Sequence, residues 1–391
     1  MRTEFSSATV FPPSPMSYAR ARLWLGISAV GTFVALSALL LALDLPRRAF
    51  TATAGHLLSE AATLTVFVGA YVLVSLPFDL IGGHLLPVRV GRSRRSLAAY
   101  LRAWLRGASV HGLVLIASGL TILTAGRAFG RPGAIAAVLL LMLTLLALQL
   151  PLARWVARLP RRHADRTPHR ALLGQTDVVL DSDDEGFVGA IAGLPGRERV
   201  VLPGHWLDRL PVPLLQAQRA RRESARDRGT RTRGVLLALA WNLVGFALST
   251  SAPGAGVDSV PGLVTVSLWF TLWSFLGLLI LPTPSRAGVL EVDRDVLRRG
   301  IRPHDLEGLI QLLDRWQDDE PTRPSSIETI FHPVPSVAVR LASLTGGPPV
   351  RGAWHAARMA LPLSWPCLGL LARAVHCNSG RPELWVMLPG D

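Results

Sequence analysis

Leu210-Pro-Val-Pro-Leu-Leu-Gln-Ala-Gln-Arg-Ala-Arg-Arg-Glu-Ser-Ala-Arg226 decides how this chain is read. Pro211 and Pro213 suit the first turn of a helix, where a missing N–H costs nothing. The residues beyond them continue that helix through a cluster of arginines, and an apolar stretch follows directly. The spacing therefore predicts a basic helix that leads into a membrane.

Working outward, half of the 391 residues are hydrophobic and the mean hydropathy is +0.35. Stretches of the length needed to cross a bilayer occur at Leu23–Leu43, Ala61–Ile81, Ala108–Ala125, Ala134–Leu150, Val235–Leu248 and Gly262–Leu281. The net charge of +14 is carried by arginine alone. Arg89, Arg92, Arg94, Arg95, Arg102 and Arg106 lie between the second and third stretches, and Arg154 through Arg233 between the fourth and fifth. Only Arg127 and Arg131 fall between the third and fourth. That alternation follows the positive-inside rule and places both termini in the cytoplasm of a multi-pass inner-membrane protein. Topology accounts for the basic balance, so a nucleic-acid partner is not inferred, and the expected partner is the lipid bilayer. The use of arginine without lysine suggests a GC-rich bacterial source.

The fold class expected is mainly α: about six transmembrane helices with a small cytoplasmic α+β domain. Residues 1–22 read as a disordered N-terminus, 23–151 as a four-span domain and 152–233 as a polar segment. Residues 234–281 read as a transmembrane hairpin, and 282–391 as a C-terminal cytoplasmic region completing the domain. Strands are expected at Val178–Asp181 and Arg199–Leu202, and helices at Ser285–Gly300 and Leu306–Gln317. Trp354–Val375 is apolar, but His355, Arg358, Pro362, Pro366 and Arg373 interrupt it, which favours a buried or amphipathic helical pair over a seventh span. Cys367 and Cys377 are expected as free thiols.

Several pieces in order resemble the integral-membrane zinc metallopeptidases of the CAAX prenyl protease and HtpX type. These are Leu76-Pro-Phe with Leu97–Gly107, Gly193–Leu202 with Trp206-Leu207, Ser285-Arg286…Asp293, and His332-Pro333…Arg340…Leu344. The resemblance implies zinc held by His-Glu-x-x-His on one helix, since positions i and i+4 share a face. It also implies a third ligand four residues before Asp293, which is Val289. One register puts Arg221, Arg222 and Ala225 at the motif positions; sliding by one puts Arg222, Glu223 and Arg226 there. A guanidinium has no lone pair to give a metal, so zinc is expected for the family but not supported by these residues. The family's Asn-Ala-aromatic strand for peptide is replaced near Val188-Gly-Ala190.

The reading is a catalytically inactive homologue that binds a membrane protein or peptide in the former cleft. Two alternatives stand beside it: an active metalloendopeptidase with a rearranged site, and a small transporter or channel around Asp79 and His84. Asp293, Glu291 and Arg340 are the residues expected near the former centre, with Arg221 or Arg222 pairing to Asp293 or Glu291 in place of the metal. Asp79 and His84 are expected at a solvated helix end. His163, His169 and His205 read as surface histidines, Asp181–Glu185 as a solvated turn, and Asn242 as a packing residue.

Overall fold

The computed structural model describes residues 16–50, 56–162, 172–174, 177–346 and 351–387. It is mainly helical with one small sheet. Five helices are long and apolar enough to cross a membrane: Tyr18–Ala42, Leu57–Arg89, Leu97–Ala147, Thr230–Ser249 and Val260–Ile280. Large apolar side chains that would be sheltered in a soluble protein face outward here; Leu73, Leu113 and Leu140 are about two-thirds exposed. Such a surface is stable only against hydrocarbon.

The Leu97–Ala147 helix covers two stretches that read separately in the sequence. It is broken at Gly130, whose φ of 65° and ψ of −159° lie outside the helical region. A Cβ on Gly107 would meet the Trp385 ring at 2.8 Å, and Gln149 Nε2 donates to the Val386 carbonyl at 3.3 Å. An unbroken helix would hold residues 107 and 149 about 60 Å apart. The two arms therefore fold back on each other, and Gly130 supplies the reversal because only glycine adopts that conformation freely.

Between the span helices and the Val212–Asp227 helix lies a four-stranded sheet: β1 (Arg161–Arg162), β2 (Val178–Leu180), β3 (Ala190–Ala192) and β4 (Arg199–Pro203). The order is β1-β2-β4-β3. β2 and β4 run parallel, with Val178 opposite Val201, and β3 is antiparallel to β4, with Ile191 opposite Val200. β3 is not expected from the sequence, because Ala-Ile-Ala offers one β-branched residue and no alternation. A second core joins this sheet to the helices Val212–Asp227, Pro282–Arg298 and Pro303–Gln317 through Val179, Trp206, Leu215, Val289, Leu306 and Leu313. Each such fully buried aliphatic side chain stabilises by roughly 1.5–3 kcal/mol relative to exposure.

The stretch 282–391, read from the sequence as one cytoplasmic region, is divided. Residues 282–344 pack on the sheet domain, whereas 352–387 are inserted among the span helices. His376 lies against Gly26, Asn242 Nδ2 donates to the Ala360 carbonyl at 3.0 Å, and Ser267 Oγ donates to the Leu368 carbonyl at 2.6 Å. Nor is the segment a helical pair: one helix, Ala356–Leu363, is followed by a 3₁₀ turn at Trp365–Cys367 and irregular chain. Irregular backbone is tolerated at this depth only when its polar groups find partners inside the protein. Here Asn378 Nδ2 donates to the Ala372 carbonyl at 2.7 Å, and Trp385 Nε1 to the Asn378 carbonyl at 3.0 Å. Cys367 and Cys377 are both free thiols.

Candidate functional site

The Val212–Asp227 helix is capped by Pro211 and Arg228, and Gly229, at φ +68°, turns the chain into the Thr230–Ser249 helix. The sequence expectation of one helix running on toward the membrane is thus corrected: a left-handed glycine separates two. Across from it lies Pro282–Arg298, ended by Gly300 at φ +91°.

Of the two possible registers, one faces inward. Arg221, Arg222 and Ala225 are fully buried. Glu223 is half-buried and pairs with Arg219 at 2.9 Å, while Arg226 is more than a third exposed beside Asp227. Ala225 shares its core with Val289 and Val292. The face that would carry ligands thus carries a guanidinium, a methyl group and, on the opposite helix, an isopropyl group.

Arg221 Nε donates to Asp293 Oδ1 at 2.8 Å, and both side chains are wholly buried. Arg340, from the Val337–Leu344 helix, reaches the same carboxylate with Nε to Oδ2 at 2.8 Å and Nη2 to Oδ1 at 3.0 Å. Gln218 accepts from Arg221 Nη1 at 2.9 Å. Burial alone would raise the Asp293 carboxyl; Arg340 and then Arg221 outweigh it and hold it below the usual carboxylate range. Three helices distant in sequence are thereby joined at one carboxylate.

Arg222 goes elsewhere. Its Nη1 donates to the Val201 carbonyl and its Nη2 to the Val188 carbonyl, and its guanidinium carbon lies 5.2 Å from the Trp206 ring centre. Gly189 makes this possible: at φ +71° a Cβ would strike the Val201 carbonyl oxygen. Glu291 does not meet Arg221 or Arg222 either. It accepts from Arg233 Nη2 at 2.7 Å and from the Gly352 amide at 2.8 Å.

Sequence reasoning missed Arg231. Its Nε donates to the Ile191 carbonyl at 3.1 Å and its Nη2 to the Gly193 carbonyl at 2.6 Å. β3 is an edge strand, so these are carbonyls that an added peptide strand would otherwise use. The cavity beside β3, lined in part by Arg231, Trp354 and Arg358, has a volume of about 30 Å³, enough for a water or two. Arg231 therefore occupies the outer edge of β3. No signal in the sequence pointed to Arg231, which comes near the end of a long arginine-rich stretch.

Away from this centre, Asp79 is buried, not solvated as expected. It is paired with Arg373, accepts from Trp104 Nε1 at 2.9 Å and from the Gly380 amide at 2.8 Å. Its carbonyl accepts from Tyr100 at 2.6 Å. Water is excluded because the inserted C-terminal segment closes over it; Gly83 and Gly380 let the two backbones touch. His84 is half-buried and stacks on Tyr100 at 5.4 Å. The Asp181–Glu185 run is not simply solvated: Asp181 pairs with Arg162 at 2.7 Å, Asp184 with Arg381 at 2.5 Å and Glu185 with Arg209 at 2.5 Å. His205 is half-buried against Trp206 and Trp316, and His163 and His169 lie outside the described residues.

The donor set does not fit zinc. The positions facing one another are Arg221, Ala225, Val289 and an Asp293 engaged by two guanidinium groups, and none but Asp293 has a lone pair to offer. Among the described residues, no three His, Cys, Asp or Glu side chains stand close enough to share an ion. Chemically the centre can clamp helices together.

No protein-family model matches this sequence, and no curated protein matches it. In fold the chain is similar to the crystal structure of Ste24p from S. mikatae, at 13% identity and a TM-score of 0.61, covering 84% of this chain and 83% of that one. The chain thus shares the fold of Ste24p, with a small sheet and five helices long and apolar enough to cross a membrane.

Proposed function

We propose that this protein is a catalytically inactive homologue of the membrane zinc metalloendopeptidases, acting as a binding or regulatory protein in the bilayer. One observation carries the reading: the Arg221 guanidinium sits on Asp293, with Ala225 and Val289 completing the face where ligands would stand. The fold likeness to Ste24p, a CAAX prenyl protease, supplies the comparison. The arms that meet at Gly130 count as separate crossings in this reading, giving six spans with both ends on the arginine-rich side.

The test is metal analysis of the purified full chain after exposure to zinc, together with a peptidase assay. The expected result is far less than one zinc per chain and no cleavage. One bound zinc per chain, lost on Asp293→Ala, would favour the active alternative with a rearranged site. The transporter reading is weakened by the occupation of Asp79, whose carboxylate already meets Arg373, Trp104 and Gly380. Proton or solute flux in liposomes that Asp79→Asn abolishes would restore it.

A further inference from the structure

A pocket of about 710 Å³ opens where the long broken helix, the Gln149–Ala157 helix and the Asp181–Asp183 turn come together. It is lined by Arg95, Arg102, Arg106, Arg158 and Arg162 against three carboxylates, Asp181, Asp183 and Glu383. Two of the arginines engage all three carboxylates, so the wall keeps two positive charges in excess. Asp181 pairs with Arg162 at 2.7 Å, and Arg95 meets Glu383 at 2.9 Å and Asp183 at 3.5 Å. Arg102, Arg106 and Arg158 are exposed and have no carboxylate partner among the described residues. His205, also on the wall, is held below its ordinary range by burial and by Arg209, so it adds no charge at neutral pH.

The pocket's position says which anion. Arg102 and Arg106 are one helical turn apart, so both guanidinium groups leave one face of the helix together. The neighbouring Leu101, Leu105 and, from the Gln149–Ala157 helix, Trp155 are exposed apolar side chains; Leu105 and Trp155 are 60% and 64% exposed. A cationic pocket directly bordering lipid-facing leucines and an interfacial tryptophan lies at the level of phospholipid headgroups. Large, open and short of negative charge, it suits a phosphodiester whose acyl chains continue over the leucines.

We propose that this pocket binds an anionic phospholipid, with the headgroup phosphate held by Arg102, Arg106 and Arg158 and the acyl chains lying along Leu101, Leu105 and Trp155. Each guanidinium near such a surface strengthens binding by about fivefold, so the three together contribute on the order of 100-fold.

The experiment titrates the detergent-solubilised full chain with phosphatidylglycerol and, separately, with phosphatidylcholine, counting bound lipid by native mass spectrometry. Wild type is expected to retain phosphatidylglycerol in preference, and Arg102→Gln/Arg106→Gln/Arg158→Gln to lose that preference by tens- to a hundredfold. The corresponding triple lysine variant should keep most of it. A control removing exposed charge elsewhere, Arg197→Gln/Arg199→Gln, should match wild type. Undiminished preference in the triple glutamine variant, or an equal loss in the control, would overturn the proposal. So would displacement of the lipid by soluble glycerol 3-phosphate at comparable concentration, which would make this a site for free phosphate esters.

Discussion

Asp293→Asn removes the one carboxylate shared by Arg221 and Arg340 while keeping its volume. Both guanidinium groups are buried, and both approach Asp293 at 2.8 Å. Loss of the charge leaves two cations in the core without a counter-ion, and breaking a buried pair from one side costs about 3–5 kcal/mol. Arg221→Met is the informative contrast. It leaves the two-bond Arg340–Asp293 pair intact, at 2.8 and 3.0 Å, and fills the space with apolar volume. Its cost is then the bond to Asp293 together with the one that Gln218 accepts, about 1–3 kcal/mol. Thermal unfolding of the full chain in detergent, followed by tryptophan fluorescence, should show Asp293→Asn falling by roughly 4–6 °C and Arg221→Met by less. A fall for Arg221→Met equal to or larger than that for Asp293→Asn would refute the reasoning, since the carboxylate would then not be the joint holding the three helices.

Arg373→Ala should strip Asp79 of its cation inside the bundle, cost about 3–5 kcal/mol, and expose the 368–387 segment to limited proteolysis. Adding Asp79→Asn should recover part of that loss; a double variant no more stable than the single would argue against the pairing. With pH, two carboxyls act in opposite directions. Asp293 titrates below the usual range in the fold, so its contribution is present at neutral pH and is lost as the medium falls below about pH 4. Burial, with Asp318 next, pushes Asp314 up to about 6 from 3.8, so its contribution is full at low pH and lost as pH rises through 6. Between about pH 4 and 6, wild type should therefore lose stability relative to Asp314→Asn; parallel curves in chemical denaturation would contradict this.

Span lengths, the basic loops, the Val212–Asp227 helix and strands β2 and β4 were legible in the sequence, because each depends on neighbours within a few residues: apolar length, a 3.6-residue period, a proline at a start. The absence of lone pairs at Arg221, Arg222, Ala225 and Val289 was equally a matter of residue identity. Which register faces inward was not legible, since Arg222 and Glu223 are both acceptable on a polar helix until a sheet packs against one side. The partners of buried charges were beyond reach as well. Arg340 and Arg221 meet at Asp293, 47 and 72 positions away, and Arg373 meets Asp79 across 294. A guanidinium carries the same charge wherever it stands, and only the packed chain selects the carboxylate or carbonyl it must satisfy once water is gone. For the same reason residues 352–387 read as part of a cytoplasmic region, with Trp354–Val375 as a buried or amphipathic helical pair. Their place among the span helices became visible only when those helices supplied the counter-charge and the hydrogen bonds.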